Sequence, residues 1–548
     1  MPQLVEEIPF EIWELIAGFL PRTEHPKLMP INRSFFSIVL HERYGDIRWT
    51  ILDEDMVRCL HRLQDPFIAR HVQRLHIQAW FISQLTQRKV LKDFRESATS
   101  FVFRSLRNFA EYMDLAYLPV FPAKSYDPSQ YTPTQILSLM VQALAQMTNL
   151  TCYSFEWRDL PLTADSRVFL KTANRYARGL QKLVLRAQII NFRHLLQYVD
   201  FEYLEEITFH FDYDGNSRDL IQANCEILET QVAPFINRFT LSLHRLIISS
   251  DSKTPMTWFF ESLSVFPKLR ALELSMPFDN AIFPDTLAAR DFLYAHSPPL
   301  QHIKLNPPTK HTPQHSSGPG QPGPLNLNLF LLSTPPNILA NLENLYIPVS
   351  VPLGITLALL QRSAGTLKRL TLSGWYLSRD ELQTVYDVFS FRPLHARLLY
   401  LRIEVMRFDL HVLYDIAKHF PGMESLVIIT KNVPVVTPYE HQDTLDPFTY
   451  FWDPRESLST PYIPPDSRVV PRMRLAFQKW SLRDFSIYTE RYHEHQTKSF
   501  LYARFEYRAM LKVKEFVQSI ESFKGEEVTD GSEFLPPVNH RPWRPDYR

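Results

Sequence analysis

LQKLVL, residues 180–185, is followed at residues 204–209 by LEEITF. In each, apolar residues stand at the fourth and sixth positions, so an extended chain places them on one side and their neighbours on the other. The unit recurs as VQRLHI (72–77), LHRLII (243–248), LRALEL (269–274), LQHIKL (300–305), LENLYI (342–347), LKRLTL (367–372), LLYLRI (398–403), MESLVI (423–428) and LRDFSI (482–487). MTNLTCYSF (147–155) is a weaker copy. Neighbouring copies are mostly about 24 to 31 residues apart, with longer gaps, which is the spacing of a strand-plus-helix repeat array with insertions.

Helix-like runs lie between the copies, among them PMTWFFESLSVF (255–266) and SRDELQTVYDVF (378–389). The second opens on a capping box, Ser378 and Glu381. Strand and helix alternating at this spacing predict an α/β fold with parallel strands. A doubly wound sheet or barrel is disfavoured: the strands are led by leucine, and neither GxGxxG nor GxxxxGK[ST] occurs. The expected organisation is a small helical module at 1–45, a helical linker at 46–71, an irregular solenoid at 72–490, a helical cap at 491–523 and a tail at 524–548. Within the solenoid, NPPTKHTPQHSSGPGQPGP (306–324) reads as a flexible insertion, because it holds no aliphatic or aromatic residue to offset the entropy of ordering it. Proline-rich 434–471, with DPFTYFWDP at 446–454, reads as an irregular excursion.

The totals narrow the function classes. The 548 residues carry 59 Lys plus Arg against 59 Asp plus Glu, and this balance offers no basic surplus for nucleic acid or an anionic membrane. Cys59, Cys152 and Cys225 are sparse and odd in number, which argues against a disulfide framework and fits a reducing compartment. The start carries Glu6, Glu7, Glu11 and Glu14 where a secretory signal would be basic and then apolar, and no apolar run is long enough to span a bilayer. Cytosol or nucleus is the expected location. Only 13 glycines accompany 42 prolines, so phosphate-cradling loops and nucleophile elbows have few places to form.

Near the start, IPFEIWELIAGFLPRTEHPKLMPINRSFFSIV (8–39) has a different texture. Ile8, Ile12, Leu15, Ile16, Phe19 and Leu20 fall at helical spacing, Pro9 suits a first turn and Pro21 stops the helix. Leu28, Ile31, Phe35, Phe36, Val39 and Leu40 supply one or two more short helices. A module of about 35 residues cannot bury all of these side chains in its own interior, so part of its apolar surface needs a partner.

The order Ile-Pro-x-Glu-Ile, an apolar helix ending in Phe19-Leu20, then Leu28 and Ile31-Asn32-Arg33-Ser34-Phe35-Phe36 resembles an F-box, with Ile8 where that family commonly has leucine. HERYGDIRWTI (41–51) and LQDPFIARHVQRLHI (63–77) resemble the segment immediately after the F-box in many fungal members, and the later repeats resemble the divergent leucine-rich repeats of such proteins. The resemblance implies a substrate-recruiting subunit of a Skp–cullin–F-box ubiquitin ligase that binds a Skp-family adaptor and catalyses nothing itself. It points to Ile8, Pro9, Ile12, Ile16, Phe19, Leu20, Leu28, Ile31 and Phe35 for adaptor contact, divided in some way between that contact and the module's own core. The alternative is a leucine-rich-repeat scaffold whose N-terminal helices are only a cap.

No GxSxG, HExxH or DxDxDG motif points to catalysis, and no cofactor or metal is expected. His493 and His495 in RYHEHQ lie in a stretch that reads as helical, where two residues apart diverge. Recognition is the remaining chemistry. Between the inward leucines, the residues expected to face outward on the sheet include Arg186, His210, Glu273, Lys304, Tyr346, Thr371, Ser373, Arg402, Glu404 and Tyr488. Their mixture of charge and aromatic surface suits a protein partner, whose identity the pattern leaves open.

Overall fold

A computed structural model of the chain describes residues 8–21, 24–78, 126, 128, 131–157, 169–174, 179–215, 217–276, 282–285, 287–306, 340–348, 353–373, 376–390, 398–432, 469–489, 509–511, 513–523 and 526–527. It divides into two compact units, Met1–Phe292 and Leu293–Arg548.

In the first unit, β1 (Asp46–Trp49), β2 (Arg74–Gln78), β3 (Cys152–Glu156), β4 (Lys182–Gln188), β5 (Glu206–Asp212), β6 (Arg245–Ser250) and β7 (Ala271–Ser275) pair in chain order, each parallel to the next. In the second, β8 (His302–Asn306), β9 (Asn344–Pro348), β10 (Arg369–Ser373), β11 (Tyr400–Arg407), β12 (Ser425–Asn432), β13 (Asp484–Thr489) and β14 (Ser522–Phe523) do the same. The short β15 (Glu526–Glu527) pairs antiparallel with β14. This is the parallel-stranded, solenoid-like α/β arrangement that the repeat spacing predicts.

The three apolar positions of the repeat have distinct jobs. In LQKLVL, Leu183 and Leu185 point from β4 into the core, while Leu180 is buried just before the strand. The same triplet is buried in LEEITF (Leu204, Ile207, Phe209) and in the weaker copy (Leu150, Tyr153, Phe155). Burying each such side chain stabilises the fold by about 1.5–3 kcal/mol before entropy is counted. The residue after the leading leucine supplies a second device: its carbonyl accepts two consecutive N–H groups from the next repeat. Gln181 accepts from Glu205 and Glu206, Glu205 from His244 and Arg245, and His244 from Arg270 and Ala271. In the second unit Glu343 accepts from Lys368 and Arg369, Lys368 from Leu399 and Tyr400, and Leu399 from Glu424 and Ser425.

Helices return the chain between strands, and their starts follow from capping chemistry. Asp53 caps α4 (Glu54–Arg62), which precedes the single-turn α5 (Pro66–Ala69). α6 (Pro133–Gln146) opens with a Thr132–Gln135 capping box. α7 (Ile189–Leu195) directly follows β4, and its Phe192 packs on Phe209 and Phe211 of β5 with centroids 5.1 and 5.0 Å apart. α8 (Arg218–Ile227) runs through a π-helical turn into α9 (Ala233–Asn237), where Pro234 lacks the N–H that an unbroken ladder would use. α10 (Thr257–Ser262), α11 (Leu287–His296), α12 (Leu353–Ser363), α13 (Arg379–Ser390), α14 (Leu410–His419) and α15 (Val469–Gln478) complete the set beyond the first module. The expected capping box at Ser378 and Glu381 is present, with Glu381 N donating to Ser378 Oγ at 3.3 Å and Ser378 N to Glu381 Oε2 at 2.7 Å.

The strand stack is longer than the repeats foretell. Residues 46–71, expected as a helical linker, begin with β1, whose Ile47 and Trp49 alternate inward without a leading leucine. Within 491–523, expected as a helical cap, residues 509–511 and 513–516 are helical but Ser522–Phe523 add β14. Residues 307–324 of the expected insertion, 434–468 of the expected excursion and most of the tail lie outside the described residues. Among the described residues no helix is long and apolar enough to cross a membrane.

Candidate functional site

The N-terminal module consists of α1 (Phe10–Gly18), α2 (His25–Leu28) and α3 (Arg33–Tyr44). Pro9 sets the start of α1, its carbonyl accepting from Ile12 N at 3.1 Å. Asn32 caps α3 by accepting from Phe35 N at 2.8 Å. Ala17, Phe35 and Ile38 form the buried centre, with Trp13, Leu20 and Leu28 packed against it. The Trp13 and Phe35 rings meet at 5.2 Å.

That small centre uses one side of α1 only. On the opposite side Ile12 is 45% exposed, Ile16 37% and Phe19 82%. Leu15, omitted from the expected contact set, is 58% exposed and belongs to the same stripe, and Phe10 at the start of α1 is exposed as well. Pro9 and Ile31 are also exposed, and Ile8 is half-buried. Three expected contact residues have a different role: Phe35 is buried in the module, and Leu20 and Leu28 pack against it. Sequence reasoning could not separate the two sets because α1 is apolar nearly all round, so helical spacing alone does not say which face turns inward.

On the sheet, the residues alternating with the inward leucines form ladders across the strands. In the first unit these ladders are neutralised internally. Arg186 on β4 pairs with Asp212 on β5 at 2.9 Å, and His76 on β2 lies 3.6 Å from Glu156 on β3. Lys182 contacts Glu206 at 2.6 Å, and Arg245 lies 3.8 Å from Glu206 and donates from Nε to Glu273 at 3.1 Å. Glu273, expected to face outward on the sheet, is covered by this ion pair and is 7% exposed. His210 stands opposite Arg186 in register and is half-buried; burial, with Arg186 adding to it, lowers its pKa to about 4.

In the second unit two cations of the sheet lie over aromatic rings. Lys304 lies over the Tyr346 ring at 5.5 Å, and Arg369 over Tyr400 at 4.5 Å. Arg402, one register position beyond Tyr400 on the same face, has its Nε buried without a hydrogen-bond partner. Thr371 and Ser373, also expected to face outward, are buried; Ser373 Oγ donates to Tyr346 Oη at 2.9 Å. Glu404 and Tyr488 remain half-buried on this face, both in register with Ile429 of β12.

Burial pushes the Cys59 and Cys152 thiols up to about 11, well away from a nucleophilic range. Among the described residues, no group of three or more His, Cys, Asp or Glu side chains is placed to hold a metal ion. His493 and His495 lie outside the described residues.

No family model matches the chain, and no curated protein matches it. Among solved structures, a chain from the crystal structure of the Rad7 and Elc1 complex in yeast aligns over 78% of this chain and 89% of that one. The identity is 10% and the TM-score 0.37. A likeness at that level identifies neither a function nor a partner.

Proposed function

We propose that this chain is a protein-recruiting subunit of a Skp–cullin–F-box ubiquitin ligase, acting in the cytosol or nucleus. Its N-terminal helices dock on a Skp-family adaptor, and its sheet presents the recruited protein. The observation that supports this reading most is the stripe Ile12–Leu15–Ile16–Phe19, left outside by a module whose core is complete without it. A run of large exposed apolar side chains on a folded element marks a surface made to be covered. The F-box resemblance of residues 8–36 names what covers it. The chain performs no bond chemistry in this scheme; it raises the local concentration of the recruited protein beside a charged conjugating enzyme. The cation–aromatic contacts around Tyr346 and Tyr400 make the sheet face of the second unit the preferred seat for that protein, since interface centres favour tyrosine and arginine.

The test is co-purification of the full chain with a Skp-family adaptor, beside Ile16→Asp/Phe19→Asp. Both residues are exposed, so the variant keeps its fold, whereas Leu20 would damage the core and is avoided. Polar groups buried in an apolar interface cost several kcal/mol, and each ~1.4 kcal/mol is tenfold, so affinity falls by about 100-fold or more. Absence of a complex with the wild-type chain overturns the adaptor reading and leaves a repeat scaffold with a helical cap.

A further inference from the structure

His25 opens the single turn of α2 and is 3% exposed. Its Nε2 lies 2.9 Å from the carbonyl oxygen of Ala17, in the last turn of α1. Its Nδ1 lies 2.7 Å from Oε2 of Glu42 on α3. Both atoms facing the ring are acceptors: a carbonyl oxygen has no proton to give, nor has an ionised carboxylate. A neutral imidazole carries one N–H and leaves the other nitrogen's lone pair against an oxygen. The imidazolium satisfies both contacts, and as a cation it also suits the C-terminal end of α1.

We infer that His25 is a proton-operated clamp: charged, it ties the end of α1 to α3, and neutral, it releases one of those two ties. Glu42 is the charged side chain that contacts the ring among the described residues. Glu11 and Glu14 of α1 are exposed, Lys27 of α2 pairs with Glu24 at 2.9 Å, His41 of α3 is exposed, and Arg43 of α3 lies over the Tyr44 ring. Burial of the ring opposes the charged form, but the hydrogen bond and Coulomb attraction of Glu42, aided by the carbonyls of Ala17 and Leu20, outweigh it. The pKa therefore stands above its ordinary 6.5. With the folded-state value raised, the clamp's contribution is complete below 6.5 and is lost as pH rises through the folded value. Because α1 carries Ile12, Ile16 and Phe19, the clamp governs how firmly the docking stripe is presented; this consequence rests on the docking reading, while the clamp itself does not.

The experiment is amide exchange on the full chain at about pH 6 and about pH 8.5, corrected for the intrinsic rate, following residues 10–20 with α14 as internal reference. Loss of a hydrogen bond to a charged group should lower protection of α1 on the order of tenfold at the higher pH, with α14 unchanged. In His25→Gln the pH dependence should vanish. Flat protection in the wild type, or the wild-type dependence in His25→Gln, overturns the clamp. If His25→Gln leaves α1 unprotected at both pH values, Glu42→Gln decides: a shrunken pH dependence supports the clamp and an undiminished one overturns it. Adaptor binding at the same two pH values is read separately. Binding absent at both, with exchange behaving as expected, overturns the docking reading alone.

Discussion

The indole of Trp13 and the ring of Phe35 lie 5.2 Å apart, tilted by 58°, and this contact between α1 and α3 determines which side of α1 stays outside. Phe35→Ala removes the largest member of the module's buried centre and should cost about 3–5 kcal/mol. So small a module has little in reserve, and residues 10–44 should become protease-sensitive while the strands hold. Phe19→Ser, at an 82% exposed position, should leave protection within about 0.5 kcal/mol of wild type. Equal damage from both substitutions would contradict the packing described.

The Arg245–Glu273 pair links β6 to β7 with Glu273 almost wholly covered. Arg245→Met fills similar space but removes the charged hydrogen bonds that the guanidinium makes to Glu273, which should cost about 1.5–3 kcal/mol. Lys368→Met breaks an exposed pair with Glu343 at 2.8 Å and should cost less than about 1 kcal/mol. Urea unfolding of the two variants, read by probes in their respective units, would check the contrast.

Acid should weaken the first unit through its half-buried histidines. Burial holds His210 down at about 4 and also lowers His71 and His76. His210 stays neutral in the folded chain until the pH nears 4 but takes up a proton below 6.5 once unfolded, and His71 and His76 act in the same direction. The unfolded state then binds more protons, so stability falls as pH drops from 6.5 towards 4. The urea midpoint measured from about pH 7 to about pH 4.5 should decline less steeply in His210→Gln than in the wild type. An identical slope would remove His210 from the account.

Gly45 follows α3 and precedes β1, and a Cβ there would stand 2.5 Å from the backbone oxygen of His41. Its carbonyl meanwhile accepts from Gln73 and Arg74. Gly45→Ala should therefore cost about 1–3 kcal/mol by overpacking, although its backbone angles suit any residue. Exchange protection of residues 46–49 and 74–78 should fall together; a neutral substitution would mean that the helix end yields freely.

Repeat strands were legible wherever leucine led them, since burial of all three apolar positions follows directly from alternation plus a fixed spacing. β1 escaped because Ile47 and Trp49 lack that leading residue, and β14 because two residues carry no periodicity. The docking stripe was legible in composition but not in orientation: Trp13 and Ala17 pack inward, Ile12 and Ile16 do not, and only the position of α3 separates them. On the sheet, alternation placed Glu273, Thr371 and Ser373 on the correct side but could not show that neighbouring strands would cover them. His25 had no sequence signal, because its meaning lies in Ala17 and Glu42, which are distant in sequence and adjacent in space.

The carbonyl that receives the next repeat has one more consequence. Gln73 receives Thr151 and Cys152 after the long stretch from Arg74, just as Gln181 receives Glu205 and Glu206 after the short one from Lys182. Alignment is thus reset at each strand entrance that carries this pair of hydrogen bonds and does not accumulate as an error within a unit. A loop can lengthen, shorten or be replaced outright, and the next strand still begins at the same mark. Such a molecule can revise its surface one segment at a time without renegotiating its interior.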